Sequence, residues 1–148
     1  MTGSTWVAGA LAGDYRSGQI RYAFCMSSDL VMSQTILYVS DVPASVAFYR
    51  DRLGLTVTYP FGDEPLNEHW ATLGVEGGSL ALHGGGPGPT GDLAPAIVFS
   101  TSDVEASRTH VISMGVEMSE ITEPHPGTTL CHGKDPDGNT FFLKQSSY

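Results

Sequence analysis

The side chains best suited to proton transfer, nucleophilic attack or metal binding are five histidines and two cysteines, and their spacing narrows what they can do. His83 ends the alternating run Ser79-Leu80-Ala81-Leu82-His83, and His132 directly follows Cys131 in a second strand-like run. Neighbours on a strand point to opposite faces, so Cys131 and His132 cannot act together as nucleophile and base; one of the two reaches any cleft. A catalytic thiol needs a basic neighbour to lower its pKa, and only the wrongly directed His132 adjoins Cys131. As a histidine, His83 or His132 could act alone as general acid/base or as hydrogen-bond donor. The plainer reading of His83 is a solvated strand end. His110 falls within a helix-length segment and His125 between Pro124 and Pro126, both read as exposed. Asp63, Glu64, Glu68 and Glu76 occupy loop-like stretches and read as a solvated acidic surface rather than an acid/base pair. Gly84 to Gly91 has no Lys or Ser/Thr at phosphate-loop spacing, and no Ser-His-Asp order stands out.

The elements that position these residues must fit into 148 residues, a length that bounds the chain to one domain or two small fused modules. With 16 acidic against 7 basic residues and a formal charge of −9, the chain is a poor nucleic-acid ligand, because phosphate contacts require cations. Two cysteines are too few for a disulfide framework or a four-cysteine zinc site, which favours a reducing cytoplasm. The apolar stretch Thr5 to Ala12 lacks a basic lead-in and is too short to span a bilayer, so no membrane association is expected. Residues 1–31 show neither alternation nor a helical period and are expected to be an N-terminal extension of unassigned role. The folded unit is expected to span 32–148.

An internal repeat organises that unit. Ser40-Asp41-Val42-Pro43-Ala44-Ser45 recurs 62 positions later as Ser102-Asp103-Val104-Glu105-Ala106-Ser107. Each copy follows an apolar run, Ile36-Leu37-Tyr38-Val39 or Ile97-Val98-Phe99, and precedes a helix-length segment closed by Leu53-Gly54-Leu55 or Met114-Gly115-Val116. Asp41 and Asp103 suit helix N-caps, Pro43 suits a first turn, and Gly54 and Gly115 suit left-handed helix ends. Val42, Val46, Tyr49 and Leu53 form one stripe at helical spacing. Further strands are expected around Trp70 to Leu73, Ser79 to His83, Thr128 to His132 and Thr140 to Lys144. The last two are joined by the turn Asp135-Pro136-Asp137-Gly138-Asn139. The sum is an α+β fold of two tandem βαβββ modules, about 32–85 and 94–146, with a Gly/Pro-rich linker at about 84–93.

Asp-initiated helices closed by Leu-Gly, the segment Phe48-Tyr49-Arg50-Asp51 before it, and the late Asp-Pro-Asp-Gly-Asn turn, all within a duplicated module, resemble the vicinal oxygen chelate superfamily. That is the group of glyoxalase I, bleomycin-resistance proteins, fosfomycin-resistance enzymes and extradiol dioxygenases. The resemblance covers residues 34 to 145. It implies half-open curled sheets, a homodimer, a cleft on the concave faces and, in metal-dependent members, a divalent ion that stabilises an enolate or oxyanion. The four family ligand positions fall on Gln34, Ala81, Ile97 and Phe142, only the first of which has a donor atom. A divalent ion needs about three or four donors at ~2 Å, so no metal and no other cofactor is expected. The alternative is a displaced divalent site using Gln34, His83 and His132.

With Gln34 directed to the cleft, alternation places Tyr38, His83, Phe99, Phe142 and Lys144 with it, together with Ala81 and Ile97. Trp70 serves either as packing within its sheet or as a ligand platform. Gln34, Tyr38, Trp70, His83, Phe99, His132 and Phe142 are therefore the expected ligand contacts, a mainly apolar and aromatic lining. The implied function is metal-independent sequestration of an aromatic small molecule, with the acidic balance favouring a cationic one. The alternative is a glyoxalase-like lyase or isomerase with His83 or His132 as acid/base. A structural or partner-binding subunit is a third reading, and it predicts a cleft filled by the protein's own groups.

Overall fold

The computed structural model describes residues 32–147; the expected extension at 1–31 lies outside the described residues. Eight strands and two helices follow the repeat: β1 (Thr35–Val39), α1 (Val42–Ala47), β2 (Thr56–Tyr59), β3 (Trp70–Val75), β4 (Gly78–Gly84), β5 (Ile97–Ser100), α2 (Val104–Ser113), β6 (Thr122–His125), β7 (Thr128–Lys134) and β8 (Thr140–Ser146). They form two four-stranded mixed sheets of matching topology, β1-β4-β3-β2 and β5-β8-β7-β6. In each, the first strand pairs in parallel with the fourth, while the other pairings are antiparallel. The α+β fold of two tandem modules read from the repeat is the fold observed. Among the described residues no helix is long and apolar enough to cross a membrane.

Both helices start as their sequences dictate. Asp41 accepts from the Ala44 amide and Asp103 from the Ala106 amide, each at 2.9 Å, from extended backbone. Past α1 the chain widens by one residue into a π-helical turn, Phe48–Arg52. Val42, Val46 and Tyr49 are fully buried as the stripe requires, but the extra residue rotates Leu53 to a half-buried position. Gly54 and Gly115 close the two helical segments at φ +79° and +81°, where a side chain would be strained.

One face of each sheet packs into a common core. Leu37 and Val39 of β1, Ala71 and Leu73 of β3 and Leu80 and Leu82 of β4 meet Val42, Val46 and Tyr49; Cys131, Phe141 and Leu143 do the same in the second module. Phe48 joins the modules, its ring 6.0 Å from that of Phe141. The repeat also accounts for an oddity. Ser107 in α2 shares a hydroxyl hydrogen bond with Thr101 at 2.7 Å, whereas the equivalent Ser45 is buried with no partner, because Val39 stands where the second module has Thr101.

The turn 135–139 is the polar link between the modules. Asp135, 5% exposed, is saturated: Oδ1 accepts from the amides of Asp137 and Asn139 at 2.9 and 2.8 Å, and Oδ2 from Tyr49 Oη and Asn139 Nδ2 at 3.0 and 2.9 Å. Asn139, 1% exposed, also donates to the Tyr38 carbonyl at 3.3 Å and accepts from the Gly91 amide at 2.7 Å. The Ser40 amide donates to Asp137 Oδ1 at 3.0 Å. Burial, then the charge and hydrogen bond of Asp135, push the Tyr49 phenol far above its ordinary pKa, so it stays a donor. Five residues thus tie together β1, the segment after α1, the linker and the second sheet.

Candidate functional site

The face of the first sheet turned away from the core carries an aromatic row. β4 is flanked by β1 and β3, and the register sets Tyr38 beside His83 and His83 beside Trp70. The ring centroids lie 5.3 Å (Tyr38–His83, tilted) and 5.5 Å (Trp70–His83, edge-on) apart. All three are half-buried. Ile36, Ala81 and Thr72 continue the same face one step along, and Thr58 shares a hydroxyl hydrogen bond with Thr72 at 2.9 Å. Gln34 precedes β1 and is half-buried. The His83 Nδ1 is buried with no hydrogen-bond partner; such an atom is costly unless something else completes it.

The linker is more than a spacer. Gly84 ends β4 with the Glu68 carbonyl so close that a Cβ would sit 2.1 Å from its oxygen. Gly86 and Gly88 lie against the Tyr38 ring, where a Cβ would come within 2.3 and 1.8 Å of ring carbons, and Gly86 also borders His83 Nδ1. A short helical turn at Gly91–Leu93 and the ion pair of Asp92 with Lys134 then anchor the segment to the second module. Gly88→Ala is therefore expected to lose about 1–3 kcal/mol of stability through overpacking, measured by chemical denaturation. An unchanged midpoint would mean that the strap yields freely.

The second sheet departs from the expected face assignment. β5 and β8 pair in parallel with Ile97 beside Phe141 and Phe99 beside Leu143, and Phe141 and Leu143 are core residues. Ile97 and Phe99 therefore turn to the core, the Phe99 ring 6.3 Å from that of Phe141, so Phe99 does not lie on the open face expected for it. The open face is formed instead by Val98 and Ser100 of β5, Phe142 and Lys144 of β8, and His132 of β7. The 62-residue repeat carried this signal, since it maps Ile36 and Tyr38 onto Val98 and Ser100. Cys131 is fully buried on the core face, and desolvation raises its thiol pKa. His132 is exposed beside Phe142, with ring centroids 5.7 Å apart. It also borders a groove of about 1030 Å³ between α1 and the segments 114–119 and 132–136, which does not include Tyr38, Trp70 or His83.

These residues do not fit the family's divalent metal. Ala81 is fully buried and has no donor, Phe142 is apolar, and Val98, on the open face in place of Ile97, is apolar too. Among the described residues no three His, Cys, Asp or Glu side chains converge. His83 stands in the first sheet and His132 in the second.

Comparisons with known proteins agree with this architecture. Lactoylglutathione lyase from Agrobacterium tumefaciens superposes with a TM-score of 0.62 at 20% identity, over 78% of this chain and 92% of that one. An antibiotic-binding protein from a Streptomyces species gives 0.62 at 22% identity, over 81% and 99%. A genomically encoded fosfomycin resistance protein from Listeria monocytogenes gives 0.63 at 17% identity, over 80% and 94%. At these identities the likeness is one of fold. No curated protein sequence matches the chain. The model of the Glyoxalase/Bleomycin resistance protein/Dioxygenase superfamily matches residues 31–143. With the duplicated module, the two matched sheets and that match in hand, the chain belongs to this superfamily.

Proposed function

We propose that the protein is a metal-independent small-molecule-binding member of its superfamily, of the bleomycin-resistance type, which sequesters an aromatic compound in the cytoplasm as a homodimer. The observation that carries this reading is the row Tyr38-His83-Trp70, three rings in register across adjacent strands on a face turned away from the core. Set at 50° and 88° to one another, these rings offer an aromatic ligand both ring faces and ring edges to pack against at little cost in side-chain freedom. The poverty of donors at the metal positions supports binding without Lewis-acid chemistry. Because each sheet leaves one face open, Ile36 and Val98 being 40% and 54% exposed, a second copy would supply the opposite wall of a cleft. The mechanism is mass action: the compound is held out of solution and released unchanged.

Elemental analysis of the purified protein, paired with thermal shift in divalent ions, tests the reading. The expected result is substoichiometric metal and no metal-dependent rise in Tm; stoichiometric metal with strong stabilisation would contradict it.

A second reading, a glyoxalase-like lyase or isomerase, is favoured by one observation, the buried and unpartnered Nδ1 of His83. That nitrogen is shut off from solvent beside Gly86, and a substrate that reached it would find it free to act as donor or base. This reading requires time-dependent conversion of bound compound that His83→Gln abolishes while binding persists.

A further inference from the structure

The open face of the second sheet differs in charge from the rest of the molecule. In a chain of net charge −9, β8 presents Lys144 and β7 presents His132 and Lys134 there; Lys134 is paired with Asp92, and no carboxylate lies among the strand partners of the other two. The described cations elsewhere are engaged. Arg50 pairs with Asp51, Arg108 with Glu120, and Lys134 with Asp92, while Arg52 donates to the Met114 carbonyl at 2.8 Å. Among the described residues only Lys144 has no partner for its charged head. It stands mid-strand and half-buried, its backbone neighbours being Ser100 on β5 and Leu130 on β7. His132, paired with Phe142, is its diagonal neighbour on the same face, a spacing of about 7–8 Å that leaves room for one anionic group between them.

The Lys144 ammonium stays reachable from solvent and is the charge that an anionic group arriving on this face would meet. We propose that Lys144, with Ser100 and His132 beside it, binds the anionic oxygens of the ligand, so that the compound taken up is an aromatic acid, a carboxylate or an oxyacid ester, and not a cation. This rests on the binding function proposed above and sharpens it: Phe142 and Val98 supply apolar contact around the charged group. It reverses the sign expected from net charge, for a physical reason. Exposed carboxylates elsewhere are screened within about 8 Å at physiological ionic strength, whereas Lys144 would touch the ligand.

Three isosteric probes test it on the whole protein: 2-naphthoate, neutral 2-naphthamide and cationic 2-naphthylmethylamine, titrated calorimetrically at low and high salt. Naphthoate is expected to bind at least about tenfold tighter than the amine, about 1.4 kcal/mol, with the gap shrinking as salt rises. Lys144→Met should abolish the preference, and Lys144→Arg should retain it. Equal affinity for all three probes, or a preference that survives Lys144→Met, overturns the anion site but leaves the aromatic row standing. Binding of none of the probes overturns both readings.

Discussion

Asn139→Ala is expected to destabilise the domain by about 3–4 kcal/mol. The substitution removes two donated bonds, to Asp135 Oδ2 and the Tyr38 carbonyl, and one accepted from the Gly91 amide. It leaves a buried carboxylate one donor short and leaves the linker tied to the second module by the Asp92–Lys134 pair without the Gly91 bond. Tyr49→Phe removes only the 3.0 Å bond to Asp135 and is expected to cost about 1–3 kcal/mol. The two losses should not add, since both act on Asp135 Oδ2. Urea denaturation of the single and double variants reads this directly. A loss below about 1 kcal/mol for Asn139→Ala would mean that the contacts it leaves in place, among them Phe48–Phe141, Tyr49–Asp135 and Arg52–Met114, hold the modules without it. A domain of this size has only about 5–15 kcal/mol in total, so Asn139→Ala should also lower its resistance to proteolysis.

Trp70→Ala is expected to weaken binding of a naphthoate probe at least about tenfold, or 1.4 kcal/mol, while changing stability much less than Asn139→Ala. Trp70 is half-buried, at the first position of β3, and its ring meets His83 edge-on. Removing it shortens the aromatic row from three rings to two without opening the core, which lies on the other face of the sheet. Trp70→Phe should recover much of the affinity, because a smaller ring keeps the stacking surface. Unchanged affinity in Trp70→Ala would reassign that side chain to packing within its sheet.

Much of this architecture is legible in the sequence because the repeat states it twice. Asp41 and Asp103 cap as aspartates do, and Gly54 and Gly115 adopt the left-handed backbone that only glycine takes readily. Alternation alone places Tyr38 with Ala81 and His83, since the intervening Leu37 and Leu82 are unambiguous core residues. It misplaces Phe99 because β5 and β8 are apolar on both faces. Val98 lies between Ile97 and Phe99, and Phe141 abuts Phe142, so the polar residues that mark the phase, Ser100 and Lys144, stand only at the ends of these apolar runs. Pairing with β8, a contact more than forty residues away, fixes the phase, and in the sequence the 62-residue repeat is what carries it. Distance hides the rest as well. Asp135-Pro136-Asp137-Gly138-Asn139 reads correctly as a turn, but its grip on Tyr49, Tyr38 and Gly91 is long-range. The glycines at 86 and 88 read as flexibility, whereas they are small because Tyr38 lies against them.

The central claim is that this member of the superfamily holds its ligand with rings and side-chain charge rather than with a metal. The measurement that bears on it most directly is a titration of the protein with 2-naphthoate, in buffer with and without EDTA, followed by readdition of divalent ions. The account predicts saturable binding with the same affinity in all three conditions. Binding that vanishes in EDTA and returns with a divalent ion would contradict it.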